Sequence, residues 1–258
     1  MSVFTDVAAE GILLAGGGRA ILLQIANPAV GAGVARHSDF ANRPLERFAN
    51  TVTYAYATVF CSPDELAAVV ERVNAAHRPV HSSPSEVRYN AFDRDTQLWV
   101  AATLYQSAIT VYEKVFGPLD DADAEEVYRR YSVLGTSLQV AAESWPPTRA
   151  EFQAYWNDAL AQLDVTDEAR RVASDLLHPR TAPPWLRAVM PLVRLVTAGL
   201  LTPQLRLAFV LPWSAKHQRR FDRVFAVAGF IYPRLPLRLR QLPKNRYLTT
   251  LRHSLPAR

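Results

Sequence analysis

Apolar residues recur along this chain at intervals of three and four, and alternating β-branched runs between glycine-rich turns hardly occur. A chain patterned in this way buries its apolar surface by packing helices. Ala, Leu, Arg and Glu dominate the periodic stretches, and ten glycines are few for 258 residues. With 49% hydrophobic residues the chain can bury one large core or two smaller ones, and one is expected. The expectation is an all-α fold, a single helical domain over 1–258 whose Pro-rich, basic C-terminal part is 179–258. Helices are predicted over 6–27, with a break at Pro28 and a loop around 36–40, then over 44–60. Ser62-Pro63-Asp64-Glu65 opens the next, because serine caps, proline fits the first turn and acids favour the positive helix end. That helix should end at 77–79. Others are predicted over 93–116, stopped by Gly117-Pro118, and over 123–136, 148–162 and 167–177.

One cysteine, Cys61, excludes an intramolecular disulfide and a cysteine-based zinc cage, and no Cys-x-x-Cys-His is present for covalent haem. A cytoplasmic setting is expected, since residues 1–6 lack the basic start and apolar middle of a secretory signal. The apolar stretches 12–35 and 185–213 are interrupted by Arg, Pro or Gly and read as buried or interfacial. The net charge of +5 is unevenly spread: residues 179–258 carry 15 Lys/Arg against one acid, Asp222, leaving 14 basic and 23 acidic residues elsewhere. Such polarity suits an anionic membrane surface, or a basic tail lying on an acidic body. Nucleic acid is not expected as a partner, because no helix-turn-helix, zinc-finger or RNA-binding signature accompanies the charge.

Leu66, Val69, Val70, Val73 and His77 recur on one helical face, so a histidine ends an apolar stripe. Haem iron takes a neutral imidazole aimed from a packed element with apolar surroundings, and His77 suits that role. A histidine at a helix C-terminus also caps carbonyls and meets the negative dipole end. His81 lies four residues on, but Pro79 intervenes, so the pair need not share a face for a metal. In the helix over 44–60, Leu45, Phe48, Val52, Ala55, Tyr56 and Val59 form the apolar side, while Arg47, Thr51, Tyr54 and Thr58 form a polar file. Arg suits a haem propionate or bound oxygen and Thr a distal hydrogen bond; a solvated outer face is the alternative. Gly16-Gly17-Gly18 matches neither the dinucleotide nor the Walker spacing and suggests a close helix approach or a bend. Cys61 stands alone in an apolar stretch, as a core residue does.

Several words then occur in order: Gly17-Gly18-Arg19-Ala20-Ile21-Leu22-Leu23-Gln24-Ile25-Ala26-Asn27-Pro28, His37-Ser38-Asp39-Phe40, Arg47-x-x-x-Thr51, His77-Arg78-Pro79-Val80, Tyr89-Asn90-Ala91-Phe92-Asp93, Leu98-Trp99-Val100 and Tyr155-Trp156. In this set the chain resembles the haem-binding catalytic domain shared by latex-clearing proteins (rubber oxygenases) and the ER-bound oxygenases of the mycophenolic-acid type. The resemblance implies a globin-like helical core around b-type haem, with His77 as axial iron ligand and Arg47 and Thr51 close to the haem as catalytic or cofactor-binding residues. It also implies an oxygenase or oxidase that uses molecular oxygen on a hydrophobic small molecule such as a lipid, isoprenoid or secondary-metabolite precursor. Polyisoprene is a poor fit, since rubber cleavage in relatives involves a distal glutamate and a lysine before the threonine, whereas Asn50 precedes Thr51 and no glutamate lies between Glu10 and Glu46. A haem carrier or gas-responsive protein without turnover is the alternative of another class.

Overall fold

The computed structural model describes residues 2–37, 44–82, 88–179 and 183–255. Its elements are helical throughout. They run α1 Val3–Ala8, α2 Gly17–Ala26, α3 Pro28–His37, α4 Pro44–Phe60, α5 Pro63–His77, α6 Arg94–Phe116, α7 Asp121–Tyr131 and α8 Val133–Thr136. After these come α9 Arg149–Ala161, α10 Asp167–Leu177, α11 Pro184–Leu200, α12 Pro203–Ala208, α13 Ala215–Ile231, α14 Leu237–Arg240 and α15 Leu242–Ser254. Among the described residues the only β pairing is an isolated bridge between His81 and Asn90.

The long α6 lies at the centre, and its buried residues, from Gln97 to Val115, surround its axis, as in a helix enclosed on all sides. Asp93 caps it through the Thr96 amide at 2.8 Å, and Gly117, at φ +89°, ends it in a backbone conformation that other residues resist. One apolar cluster reaches from Phe4 to Leu251, so both ends of the chain share the core. Trp99 stacks on Trp156 with ring centroids 5.2 Å apart and donates to the Leu23 carbonyl at 3.2 Å. Gln24 donates to the Thr103 hydroxyl at 3.0 Å. Arg19, deeply buried, donates to the Gln106 carbonyl at 2.8 Å, and burial pushes its guanidinium down to about 10. The words around Arg19, Trp99 and Trp156 therefore build the core between α2, α6 and α9.

Two expectations are corrected. The helix expected over 6–27 is divided into α1, a 3-10 helix Gly11–Gly16 and α2, because Glu10 is extended and Gly11 is pressed against the Arg240 carbonyl and Pro243. Pro28 starts a helix where a break was expected. Extended Asn27 accepts the Ala29 and Val30 amides on its side chain at 3.0 and 3.3 Å, and Pro28 has no amide to lose at the first position. The capping box at Ser62 forms as the sequence indicated, the Ser62 amide donating to Glu65 at 2.9 Å and the Glu65 amide to Ser62 at 3.3 Å. No single described helix is long and apolar enough to cross a membrane; one bent pair, Gly11–Ala26 with Pro28–His37 at 105°, passes by length and composition, and most of α2 is buried in the core.

Candidate functional site

Two helices end in histidines on the wall of one cavity of about 540 Å³. From α5 come Val69, Val73 and His77; from α3 come Val30, Val34 and His37. Each set follows the spacing of one helical face, so each stripe aims its terminal imidazole at the same space. Arg47, Thr51 and Tyr54 face it from α4, and Leu251 closes it from α15.

Burial first, and then the positive charge of Arg47, hold the His77 imidazole below its ordinary value and so keep it neutral, the form that ligates iron. Its Nδ1 is buried without a hydrogen-bond partner among the described residues. Such an orphaned atom is costly unless a ligand answers for it. The His77 ring meets Phe92 edge-on at 6.3 Å. His81 is exposed, lies beyond the end of α5 in the bridge to Asn90, and lines neither this cavity nor the one below, so the two histidines do not share a helix face. Among the described residues no group of three or more His, Cys, Asp or Glu is arranged to hold a bare metal ion.

The polar file of α4 divides. Arg47, Thr51 and Tyr54 line the cavity, whereas Thr58 turns its hydroxyl to the Ala55 carbonyl. The Thr51 hydroxyl donates to the Arg47 carbonyl at 3.2 Å, and the buried Tyr54 donates to the Leu134 carbonyl at 2.7 Å, with its hydroxyl pushed far up by burial. No Asp or Glu occurs among the described lining residues, while His37, Arg47, Arg72 and His77 all do. A cavity with basic groups and no acid suits a bound carboxylate. The neutral orphaned imidazole, apolar helix faces and this basic edge fit a b-type haem with its two propionates.

Sequence reasoning gave no role to His37, whose Nε2 lies 2.9 Å from the Tyr89 hydroxyl, or to Leu251. The stripe Val30, Val34, His37 would have identified the first, had Pro28 been read as a helix start. Ser38, Asp39 and Phe40, the rest of that word, lie outside the described residues.

A second cavity of about 470 Å³ shares Ile21, Gln24, Arg47, Thr51, Leu104 and Leu134 with the first. The whole apolar side of α4, from Leu45 to Val59, lines it, and Arg47 is its one charged lining residue among those described. Gly16, Gly17 and Gly18 line it too. A Cβ on Gly18 would lie 2.0 Å from the Thr197 hydroxyl of α11, which confirms the close helix approach.

Residues 5–230 match the model of the family described as ER-bound oxygenase mpaB/B'/rubber oxygenase, catalytic domain. Uncharacterized proteins of Mycobacterium bovis and Mycobacterium tuberculosis are each 39% identical to the chain, over 80% of its length and 84% of theirs. No solved structure matches. Oxygenase chemistry in general is what the family match supports, and the chain belongs to the mpaB/rubber oxygenase catalytic-domain family.

Proposed function

We propose that this chain is a haem b-dependent oxygenase or oxidase that uses molecular oxygen on a hydrophobic small molecule, a lipid, isoprenoid or secondary-metabolite precursor. The observation that carries the reading is His77: a half-buried imidazole held neutral, with a buried and unanswered Nδ1, at the wall of a cavity that holds basic groups and no described acid. We read the chain as one haem-binding unit over 1–258 with a globin-like arrangement around the cofactor, acting in the cytoplasm and at a membrane surface.

Haem, when bound, supplies the iron at which dioxygen is activated. His77 would hold the iron of that group, and its helix fixes the imidazole by packing Leu66 and Val70 against the core. Arg47, on the wall common to both cavities, would neutralise a propionate, and Thr51 beside it would offer its hydroxyl to the site on turning from the Arg47 carbonyl. The apolar second cavity excludes water and orients a hydrocarbon substrate against that wall.

The purified protein should show a Soret band, and its reduced form should bind carbon monoxide and consume oxygen when an apolar extract is added. A colourless protein that acquires no Soret band on haem addition overturns the cofactor. Carbon monoxide binding without substrate-dependent oxygen uptake favours a haem carrier or gas-responsive protein.

A further inference from the structure

Thirteen large apolar side chains are exposed among the described residues, and all but Leu45 fall between Trp185 and Leu242. The exposed set of α11, Trp185, Val189, Leu192 and Val193, follows steps of four, three and one and so lies along one side of the helix. Phe230 and Ile231 at the end of α13, with Leu237 and Leu239 of α14, form a second exposed group. Trp185 is 61% exposed and Phe230 65%, far more than isolated surface apolar residues need.

The acidic body meets part of the charge of this third: Arg240 pairs with Glu10 at 3.3 Å and Arg252 with Glu65 at 2.9 Å. Arg187, Arg219, Arg220, Arg223, Arg234 and Arg238 are exposed, and Asp222 is the one acid from 179 onward. Arg234 lies over the Phe230 ring at 4.1 Å and Leu237-Arg238-Leu239-Arg240 alternates, so apolar and cationic groups are interleaved. A second copy of the chain offers the same arginines and is repelled; an anionic bilayer offers hydrocarbon for the apolar groups and phosphate for the cations.

The second cavity opens on this side. Leu45 of α4 and Leu192 and Val193 of α11 both line it and are exposed, so they form its rim, and the α11 stripe continues inward through Met190 and Thr197. We infer that the surface of α11, α13 and α14 docks on an anionic membrane and that the second cavity opens onto it, so that a hydrophobic ligand passes from the bilayer into the protein without crossing water. The docking stands apart from the cofactor; the ligand route rests on the proposed oxygenase function.

Co-sedimentation of the full chain with phosphatidylcholine vesicles, with and without phosphatidylglycerol, tests the docking. Binding should require phosphatidylglycerol and weaken with salt. Two exposed double variants, Trp185→Ser with Leu192→Ser and Arg234→Glu with Arg238→Glu, should each reduce binding at least tenfold while far-ultraviolet circular dichroism is unchanged. Absence of binding, equal binding to both vesicles, or full binding by either variant overturns the docking. So does a concentration-dependent dimer in sedimentation velocity that the same variants abolish. The route is tested with cis-parinaric acid carried in the vesicles. Val193→Arg, at the rim, should slow its transfer to the protein at least fivefold, and unchanged transfer overturns the route. Haem content of the same samples separates a failure here from a failure of the cofactor reading.

Discussion

Replacing Gly18 by alanine places a methyl group where α2 and α11 touch. The added Cβ would lie 2.0 Å from Thr197 Oγ1, 3.1 Å from its Cβ and 3.2 Å from its Cγ2. Thr197 is fully enclosed and β-branched, so it has no room to swing away. Overpacking of this kind costs about 1–3 kcal/mol, and the higher helix propensity of alanine returns at most about 1 kcal/mol, less in a first turn. A net loss of about 1–2 kcal/mol remains, which lowers Tm by about 2–8 °C for a chain of this size. Thermal melts followed by circular dichroism should show this loss in Gly18→Ala. Most of it should be recovered in the Gly18→Ala, Thr197→Ala pair, because removal of Oγ1 and Cγ2 leaves only the contact at 3.1 Å. The coupling between the two sites should then be about 1–2 kcal/mol. A Gly18→Ala protein as stable as wild type, or strictly additive effects, refutes the close approach of α2 and α11.

Arg47→Ala and Thr51→Ala should leave far-ultraviolet circular dichroism unchanged and shift the Soret position or weaken haem affinity; unaltered spectra and affinity would place both on solvent. Leu251→Ala, which opens a gap where α15 closes the first cavity, should cost about 2–4 kcal/mol and speed haem loss to apomyoglobin; wild-type retention contradicts the role of α15 as a wall. Burial raises the Glu10 carboxyl above its ordinary value, against the opposing pull of Arg240 and of a hydrogen bond from Tyr232. A carboxyl whose folded pKa exceeds its unfolded one favours folding most below the unfolded value and loses that contribution as pH rises through the folded value. Urea denaturation should therefore show the stability of wild type improving relative to Glu10→Gln as pH falls from neutral towards about 4.3; a constant difference, or the opposite trend, contradicts the burial of that carboxyl.

The helical class and the start of α5 were legible because they depend on local chemistry: Ser62, Pro63 and Glu65 cap whatever α5 packs against. The face carrying Val69, Val73 and His77 was legible for the same reason, since helical spacing fixes which side chains share a wall. Arg47, Thr51 and Tyr54 were separable from the apolar side of α4, although periodicity alone left them equally suited to solvent. What escaped depends on partners distant in sequence. Gly11 is held by Arg240 and Pro243, which divides the expected first helix, and Leu251 reaches the cavity only because the C-terminal helix returns across α4. His37 was missed through a local misreading, since proline after an asparagine both ends one helix and begins another. The destination of the C-terminal charge needed the fold as well, because only the fold shows that Arg240 and Arg252 pair with the acids Glu10 and Glu65 of the body.

The central claim, that His77 is the axial ligand of a b-type haem, is tested most directly by the pyridine haemochrome content of His77→Ala and His81→Ala purified beside the wild type. Wild type and His81→Ala should carry haem in equal amount, and His77→Ala should carry little or none. Full haem occupancy in His77→Ala with loss in His81→Ala would move the ligand to the exposed histidine and contradict the account.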